Sequence, residues 1–270
     1  MTRWQKGMRL LKASWEVIQQ RPALVGVLAV GTVASLALGG AAFGLLAASA
    51  SPGSLTFRVG ILLAIQVAVI PMTFTNFVVA AVADRHFRGE EITTGEAVSF
   101  AVTRLPRILQ WSMLSAVVGF VLSYILERFK LGGWIASRLL GLAWALATTF
   151  VIPILVMEDV RVFDAVSESA KTFKAYWGES VSADAGLGFV TLAIMLPLVI
   201  VGVFLSAAGS PAIGIALMVL GVFALMALSS TVGAVKNVAL YRLATDGSVV
   251  GSFTLEDLNA SFKPKKKRFS

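Results

Sequence analysis

Six long apolar segments make up most of the chain, and each is about as long as a helix that crosses a bilayer. The hydrocarbon core of a membrane is about 30 Å thick and takes about 20 apolar residues in a helix. Only 14% of the residues are charged, whereas soluble domains carry about 25%. The sequence therefore predicts an all-α polytopic membrane domain over residues 1–245, followed by a cytoplasmic basic tail over 246–270. We place its spans at about residues 23–49, 59–83, 111–127, 134–157, 185–208 and 212–240.

The connections between these spans alternate in character. "ASASPGSLTF", "ERFKLGG" and "AAGSP" are short and rich in Gly, Ser or Pro, which predicts that the six transmembrane helices pair as three hairpins. Most Lys and Arg residues lie in the termini and in the connections between hairpins. The side of the membrane that carries the short turns holds Arg58, Arg128, Lys130 and Arg138. Because cytoplasmic loops are enriched in cations, we expect the N- and C-termini in the cytoplasm. The segment "MTRWQKGMRLLKASWEVIQQRP" lacks the pattern of a cleaved signal peptide, so we expect the first span to be retained.

Three cytoplasmic segments, at about residues 4–20, 94–110 and 162–178, repeat apolar residues at helical spacing. Each is predicted to be an amphipathic interfacial helix that precedes one hairpin and turns its apolar face toward lipid or a cytoplasmic partner. Thr93, with Glu96 three residues later, is typical of the start of the second one. The matches of "LKASW" with "FKAYW" and of "EAVS" with "DAVS" indicate an internal repeat, and chance similarity between amphipathic helices is the alternative. The apolar faces of this predicted collar consist of Trp4, Met8, Leu11, Trp15, Val98, Val102, Leu105, Leu109, Val166, Ala170, Phe173 and Trp177.

Two stretches carry a resemblance to a known family. They are "TFTNFVVAAVADR" at 73–85 and "TFVIPILVMEDVRVFDAVSESAKTFKAYWGE" at 149–179. Through them the chain resembles, over residues 1 to about 245, a family of six-span prokaryotic integral membrane proteins known as a domain of unknown function. The resemblance implies a polytopic protein of a prokaryotic inner membrane and no particular catalytic or binding residues. A more distant likeness is to the membrane domain found beside glycerophosphodiester phosphodiesterases, although no phosphodiesterase catalytic domain fits in this chain.

The residue types that carry enzyme chemistry are scarce. The chain has no Cys and one His, which is His86, just past the end of the second predicted span. Its acids cluster on the cytoplasmic side, and no metal-binding His pair, phosphate-binding Gly loop or dinucleotide fingerprint occurs. The sequence therefore predicts a protein that is not an enzyme and that has no catalytic, cofactor or metal site.

Polar side chains inside the predicted spans are the remaining candidates for function, because they are costly in lipid. Pro71 and Pro153 lie beside several of them and each frees a backbone carbonyl one turn earlier. The polar residues either line a path for a small solute or form hydrogen bonds between packed helices. For Lys236 we weigh snorkelling to the interface against pairing with Glu158 or Asp159. The set consists of Gln66, Thr73, Thr75, Asn76, Thr148, Thr149, Lys236 and Asn237.

The basic tail predicts an interaction with the membrane surface. Lys and Arg near an anionic leaflet each contribute on the order of 1 kcal/mol, and the apolar composition argues against nucleic acid. The cations that would meet anionic lipid headgroups are Lys263, Lys265, Lys266, Lys267 and Arg268.

Together these features favour a non-enzymatic membrane protein, and they leave two functions open. The first is an oligomer-forming, membrane-organising or accessory subunit whose collar contacts lipid or a cytoplasmic partner, in a homo-oligomer or a larger complex. The alternative is a small-solute transporter or channel that uses the polar residues of the even-numbered spans.

Overall fold

The computed structural model describes residues 12–20, 23–49, 51, 53–129, 133–177, 185–251, 253 and 255. The all-α prediction is confirmed for these ranges, which contain helices and no strand. Predicted collar residues Trp4, Met8 and Leu11, and the tail cations Lys263 to Arg268, lie outside them, as does the side chain of Trp177. The helices are α1 (residues 12–19), α2 (Ala23–Ser49), α3 (Leu55–Phe87), α4 (Thr94–Thr103), α5 (Leu105–Phe129), α6 (Gly133–Ala147), α7 (Val151–Met157), α8 (Val162–Trp177), α9 (Ala185–Ala207) and α10 (Pro211–Asp246).

Five stretches of these helices are long and apolar enough to cross a membrane, so the chain is a multi-pass membrane protein. They are Ala23–Ser49, Thr56–Phe87, Leu105–Leu122, Leu140–Met157 and Pro211–Asp246. The part of α9 with described side chains, Met195–Ala207, is a shorter apolar helix, so the sixth span stays a prediction. α3 has 33 residues and, at about 1.5 Å each, is about 50 Å long. It therefore extends beyond a hydrocarbon core about 30 Å thick.

The fourth predicted span differs from the single helix that we expected over residues 134–157. α6 ends at Ala147, a turn follows, and α7 begins at Val151. Pro153 has no N–H to donate to the carbonyl of Thr149, so the helical hydrogen-bond ladder does not run through this point. The backbone N–H of Phe150 donates instead to Ser169 Oγ of α8, at 3.0 Å. This interruption between α6 and α7, which we call the α6–α7 break, is held by a side chain from another helix.

The second interfacial segment also differs from the helix expected over residues 94–110. Thr93 begins α4 with a capping box, as predicted: Glu96 N–H donates to Thr93 Oγ1 at 3.2 Å, and Thr93 N–H donates to Glu96 Oε2 at 2.8 Å. The helix then ends at Thr103, and α5 starts at Leu105. Pro106 cannot donate to the carbonyl of Val102, which explains the boundary. Leu105 and Leu109 therefore belong to a spanning helix and not to the interfacial one.

The buried core lies toward one end of the bundle. It is built mainly from α3, α4, α7, α8 and the second half of α10, with fully buried side chains such as Phe77, Ile154 and Leu240. α3 packs against α2, α4, α5, α7 and α10, and α10 packs against α9. Away from the core, large apolar side chains such as Leu45 of α2 and Phe204 of α9 are exposed. Such surfaces suit lipid, which is as apolar as a Leu side chain.

Candidate functional site

A cavity of about 430 Å³ lies between α3, α5, the α6–α7 break and α10. This volume falls within the range of about 300–1,000 Å³ that is usual for small-molecule sites. The structure brings together on its wall five of the eight candidate polar residues of the predicted spans and Ser230, which is another polar residue of the last predicted span. We call it the polar cavity, and its polar lining is Asn76, Thr148, Thr149, Ser230, Lys236 and Asn237.

The space for the cavity comes from the α6–α7 break and from small residues. Thr148 and Thr149 lie in the break, where the hydroxyl of Thr148 donates to the carbonyl of Trp144 at 2.8 Å and that of Thr149 to Ala145 at 2.9 Å. These bonds satisfy the carbonyls at the end of α6 and leave the hydroxyl oxygens able to accept. On the opposite wall, a Cβ added at Gly233 would meet nothing within 4 Å. The helix interruption and the missing side chain thus leave an open volume between packed helices.

Asn76 has a polar atom without a partner among the described residues. Its Nδ2 donates to Ser230 Oγ at 2.5 Å, which joins α3 to α10. Its Oδ1 is buried and accepts no hydrogen bond from the described part of the chain. Because oxygen and nitrogen of an amide are assigned from their contacts, reversing the group would leave the nitrogen unpaired instead. An unsatisfied buried polar atom costs about 1–3 kcal/mol, so this wall of the cavity is suited to a polar guest.

Lys236 lies on the α10 wall of the same cavity. The two acids that we considered as its partners have other contacts. Tyr241 Oη donates to Glu158 Oε1 at 2.5 Å, and Asp159 accepts from Arg104 and lies 2.5 Å from Arg107 Nη1. Pairing of Lys236 with either acid stays a prediction.

The other polar residues predicted inside the spans lie away from the cavity. The hydroxyl of Thr73 donates to the carbonyl of Val69 at 3.1 Å, and that of Thr75 donates to the carbonyl of Pro71 at 3.0 Å. Both Thr side chains are buried, and Gln66 is half-buried. The hydroxyls of Thr73 and Thr75 thus bond to carbonyls of their own helix, and hydrogen bonding between helices stays a prediction for these residues.

A layer of charged and hydrogen-bonded side chains closes one end of the bundle. Arg242 Nη2 of α10 lies 2.5 Å from Asp84 Oδ1 of α3, and Arg88 Nε lies 3.2 Å from Asp84 Oδ2. Asp84 is about 12 Å along α3 from Asn76, and Arg242 is about 9 Å along α10 from Lys236, at a rise of 1.5 Å per residue. We call this the charged layer, and it consists of Asp84, Arg88, Arg104, Arg107, Glu158, Asp159, Tyr241 and Arg242.

Sequence reasoning missed the buried pair in this layer. Arg242 is one of the cations that predict the orientation of the chain in the membrane. Asp84 is one of several acids near the end of a predicted span. The available signal was the position of opposite charges one or two turns from the polar residues of two long apolar segments. No feature of the sequence indicated that these two segments are neighbours.

The comparison with known protein families covers this site. Residues 54–251 match DUF6159, described as a family of unknown function. The chain belongs to this family. The DUF6159 region contains α3 to α10, and therefore every residue of the polar cavity and of the charged layer. No curated protein and no solved structure matches the chain. The likeness to the membrane domain beside glycerophosphodiester phosphodiesterases stays a prediction.

The predicted collar residues of the DUF6159 region have different environments. On the α4–α5 segment, Val98 is half-buried while Val102, Leu105 and Leu109 are exposed. On α8, Phe173 is buried in the core, and Val166 and Ala170 are half-buried. Trp15 of α1, which precedes the matched region, is also half-buried. Among the collar residues that the structure describes, those of the α4–α5 segment are the most exposed.

α8 is oriented by its buried face. Val162, Ala165, Ser169 and Phe173 are buried at helical spacing, and α8 packs against α6 and α7. At its start, the Arg161 guanidinium hydrogen-bonds to Asp164 and holds the pKa of that exposed carboxyl below its usual value. Phe163, next to the buried Val162, is 73% exposed. α8 thus packs against the bundle and presents charges and one aromatic ring outward.

Within the described ranges, no group of three or more His, Asp or Glu side chains is placed to hold a metal ion. The polar cavity instead offers hydroxyls, amides and an ammonium group. Such a lining suits reversible binding of a polar molecule.

Proposed function

We propose that this member of DUF6159 is a six-span protein of the prokaryotic cytoplasmic membrane, with both termini in the cytoplasm. Five candidate spans support this arrangement, and α9 supplies the sixth. The charged layer then lies at the cytoplasmic face, because the cation-rich segments meet there and cytoplasmic loops are enriched in Lys and Arg.

Within this arrangement, the protein carries a small polar solute across the membrane through the polar cavity. The observation that supports this function is the convergence of polar side chains from the second, fourth and sixth spans on one volume, where the Asn76 amide has an unsatisfied atom. Polar groups buried in a membrane are costly and are therefore candidates for a solute pathway. Discontinuous helices near the centre of the bilayer are a common element of such sites.

The charged layer and two helix interruptions beside the polar cavity would allow the transport path to open and close. On the cytoplasmic side, the charged layer lies beyond the polar cavity along α3 and α10. The ion pair between Arg242 and Asp84 joins these two helices and must separate for release. The α6–α7 break and Pro71 of α3 give two of the lining helices joints where their segments can change angle. Transport is then an exchange between a state in which Arg242 and Asp84 are paired and the charged layer is closed, and a state in which they are apart and it is open.

Water access to Asn76 from both membrane faces tests this function. The chain has no Cys, so Asn76→Cys introduces a single thiol. In oriented proteoliposomes, a membrane-impermeant methanethiosulfonate reagent is expected to modify this thiol from either face. Matched controls on the same helix are Val78→Cys, which is fully buried, and Val69→Cys, which is on an exposed apolar surface. Modification from one face alone, or at the rate of Val78→Cys, would contradict a transport path.

A second function, that of a membrane-organising or accessory subunit, has support from a different surface. An apolar groove of about 560 Å³ lies between α2, α3 and the α4–α5 segment, and its lining includes two predicted collar residues, Val98 and Leu105. In this function a lipid acyl chain occupies the groove, the basic tail holds anionic headgroups, and a homo-oligomer or a larger complex forms around the bundle.

Fluorescence quenching tests the lipid contact. With the native Trp residues replaced by Phe, Leu105→Trp is expected to be quenched by bilayer lipids that carry bromine on their acyl chains. The control is Glu91→Trp, an exposed position beside the charged layer, which should stay unquenched. Equal fluorescence of the two variants in brominated and ordinary lipid would exclude the acyl-chain contact.

A further inference from the structure

Two arginines of the charged layer share one carboxylate oxygen. Arg104 Nη1 donates to Asp159 Oδ1, and Arg107 Nη1 lies 2.5 Å from the same atom. We call Arg104 and Arg107 the arginine pair. Each guanidinium has five N–H donors in a planar fork, and Asp159 is the acid that forms ion pairs with both of them in the described part of the chain. The cluster therefore has one more cation than anion, and it has more donors than this carboxylate can accept.

The arginine pair is held in place from the protein side. The Arg104 guanidinium lies over the Phe100 ring, with 5.5 Å between Cζ and the ring centroid. Arg107 Nη1 is buried and has no aligned hydrogen-bond acceptor among the described residues. The side chains of Arg104 and Arg107 are 22% and 26% exposed, and that of Asp159 is 73% exposed. The cluster is therefore open to an anion that approaches from outside the bundle.

The arginine pair lies at the edge of the membrane. The candidate span of α5 begins at Leu105, between the two arginines, and the candidate span that includes α7 ends at Met157, two residues before Asp159. Lipid headgroups border the hydrocarbon core at this level. Farther into the span, Leu109 and Met113 of α5 are exposed and apolar, which suits acyl chains. The anion that the membrane itself supplies at this depth is a lipid phosphate.

From these contacts we infer that the arginine pair binds the phosphate group of an anionic phospholipid in the adjoining leaflet. The phosphate oxygens accept from N–H groups of Arg104 and Arg107, and the acyl chains lie along the exposed side of α5. Arginine suits this role because its planar fork matches the geometry of a phosphate. A phospholipid without net charge binds less tightly, because its headgroup brings a further cation to a cluster that already has an excess of them. The site does not depend on whether the polar cavity carries a solute.

Lipid binding to the purified full chain tests the inference. Native mass spectrometry in a mild detergent measures the apparent dissociation constant of the first lipid bound. The probes are phosphatidylglycerol, which is anionic, and phosphatidylcholine, which has no net charge, with the same acyl chains. Charge-assisted hydrogen bonds to the arginine pair should favour phosphatidylglycerol about tenfold to a hundredfold. The basic tail is identical in all variants, so differences between variants do not come from it.

Matched substitutions separate this site from a general attraction between a cationic protein and an anionic lipid. Arg104→Met and Arg107→Met should each remove most of the preference for phosphatidylglycerol. Arg161→Met removes an exposed cation that is paired with Asp164, and it should leave the preference almost unchanged. Arg107→Lys keeps the charge without the planar fork, so its preference should be intermediate. Comparison of the two lipids on the unaltered protein keeps the test valid if a substitution prevents folding.

Removal of the acid should have the opposite effect. Asp159 occupies N–H groups that the phosphate can use, so Asp159→Asn should bind phosphatidylglycerol several-fold more tightly than the unaltered protein does. Asp164→Asn changes the net charge of the chain by the same amount at an exposed ion pair. It is the matched control and should change the affinity little.

Inorganic phosphate distinguishes a lipid site from a site for the free ion. We expect a large molar excess of it to leave phosphatidylglycerol bound, because the free ion lacks acyl chains that contact α5. Displacement of the lipid by inorganic phosphate would overturn the assignment to a lipid. Equal affinities for the two lipids, equal effects of Arg107→Met and Arg161→Met, or weaker binding of phosphatidylglycerol by Asp159→Asn would each overturn it as well.

Discussion

Arg242 of α10 and Asp84 of α3 form a buried ion pair across 158 positions of the sequence, with 2.5 Å between Nη2 and Oδ1. Their side chains are only 10% and 6% exposed. Arg242 also donates from Nε to the same carboxylate oxygen at 3.2 Å. The pair therefore holds α3 and α10 together, about 12 Å along α3 from Asn76 and about 9 Å along α10 from Lys236.

Removing one member of this pair should destabilise the protein. Arg242→Met leaves Asp84 buried with the half-exposed Arg88 as its other cation, and breaking a buried pair costs about 3–5 kcal/mol. We expect a clear loss in the free energy of unfolding, measured by denaturant titration in detergent. The double variant Asp84→Leu with Arg242→Met should recover most of it, because no buried charge is then left unpaired and Arg88, which loses its carboxylate partner, is half-exposed.

An exposed pair gives the control for this measurement. Arg161 and Asp164 are ion-paired at the start of α8 with both side chains well exposed, and such pairs contribute little. Arg161→Met should therefore leave the unfolding transition close to that of the unaltered protein. If Arg161→Met lowered the free energy of unfolding as much as Arg242→Met does, burial of the ion pair would not explain the effect of Arg242→Met.

The α6–α7 break depends on Ser169. Its hydroxyl is buried and accepts from Phe150 N–H at 3.0 Å, so Ser169→Ala leaves a backbone donor without its partner. The expected loss is about 1–3 kcal/mol, measured as a lower free energy of unfolding. Ser167→Ala, on the exposed side of the same helix, should have little effect. Equal behaviour of the two variants would contradict the role given to Ser169.

The stability contributed by the α4 capping box should depend on pH. The backbone N–H of Thr93 and then its hydroxyl hydrogen-bond to the Glu96 carboxylate and lower the pKa of Glu96 below its ordinary 4.5. Because the pKa is lower in the folded state, the contribution is present above about pH 4.5 and is lost as the pH falls through the folded-state pKa. The Tm difference between the unaltered protein and Glu96→Gln should thus be constant above pH 5 and shrink at lower pH. A difference that grows as the pH falls would reverse the sign and contradict this contact.

Close packing of α9 against α10 requires glycine at position 214. A Cβ there would lie 2.3 Å from the carbonyl oxygen of Gly202 and 2.2 Å from Ser206 Oγ. Because a backbone oxygen cannot rotate away, Gly214→Ala should separate the helices and lower the Tm in detergent. The control is Gly119→Ala on α5, where a Cβ meets nothing within 4 Å, and where alanine should be neutral or stabilising by about 0.5–1 kcal/mol. A lower Tm for both variants would point to a general effect of the substitution.

Much of the local structure is readable from the sequence. The first apolar segment, predicted over residues 23–49, coincides with α2 (Ala23–Ser49), and the Thr93 and Glu96 pattern marks the start of α4. These features depend on residues close in the chain. The two differences, at Pro106 and Pro153, have the same cause. Each proline lacks an N–H donor, and the sequence indicates that a helix is disturbed there without deciding whether it kinks or stops.

The candidate site was predicted only as a set of residues. Thr75 and Asn76 are neighbours on α3, yet their side chains have different contacts. Thr75 is buried and donates a hydrogen bond to a carbonyl of its own helix, while Asn76 donates to Ser230 and lines the polar cavity. Because the spans are apolar around their whole circumference, the pattern of side chains does not say which face meets lipid and which meets protein. The rotation of each helix about its axis decides that.

By itself, the sequence determined that this chain is helical and crosses a membrane several times, since length and apolarity are properties of contiguous segments. The tertiary structure alone decided that Asn76, Thr148 and Lys236 share one cavity and that Asp84 meets Arg242. Helices far apart in the chain become neighbours through packing and a few buried polar contacts, because lipid solvates their apolar faces as well as protein does.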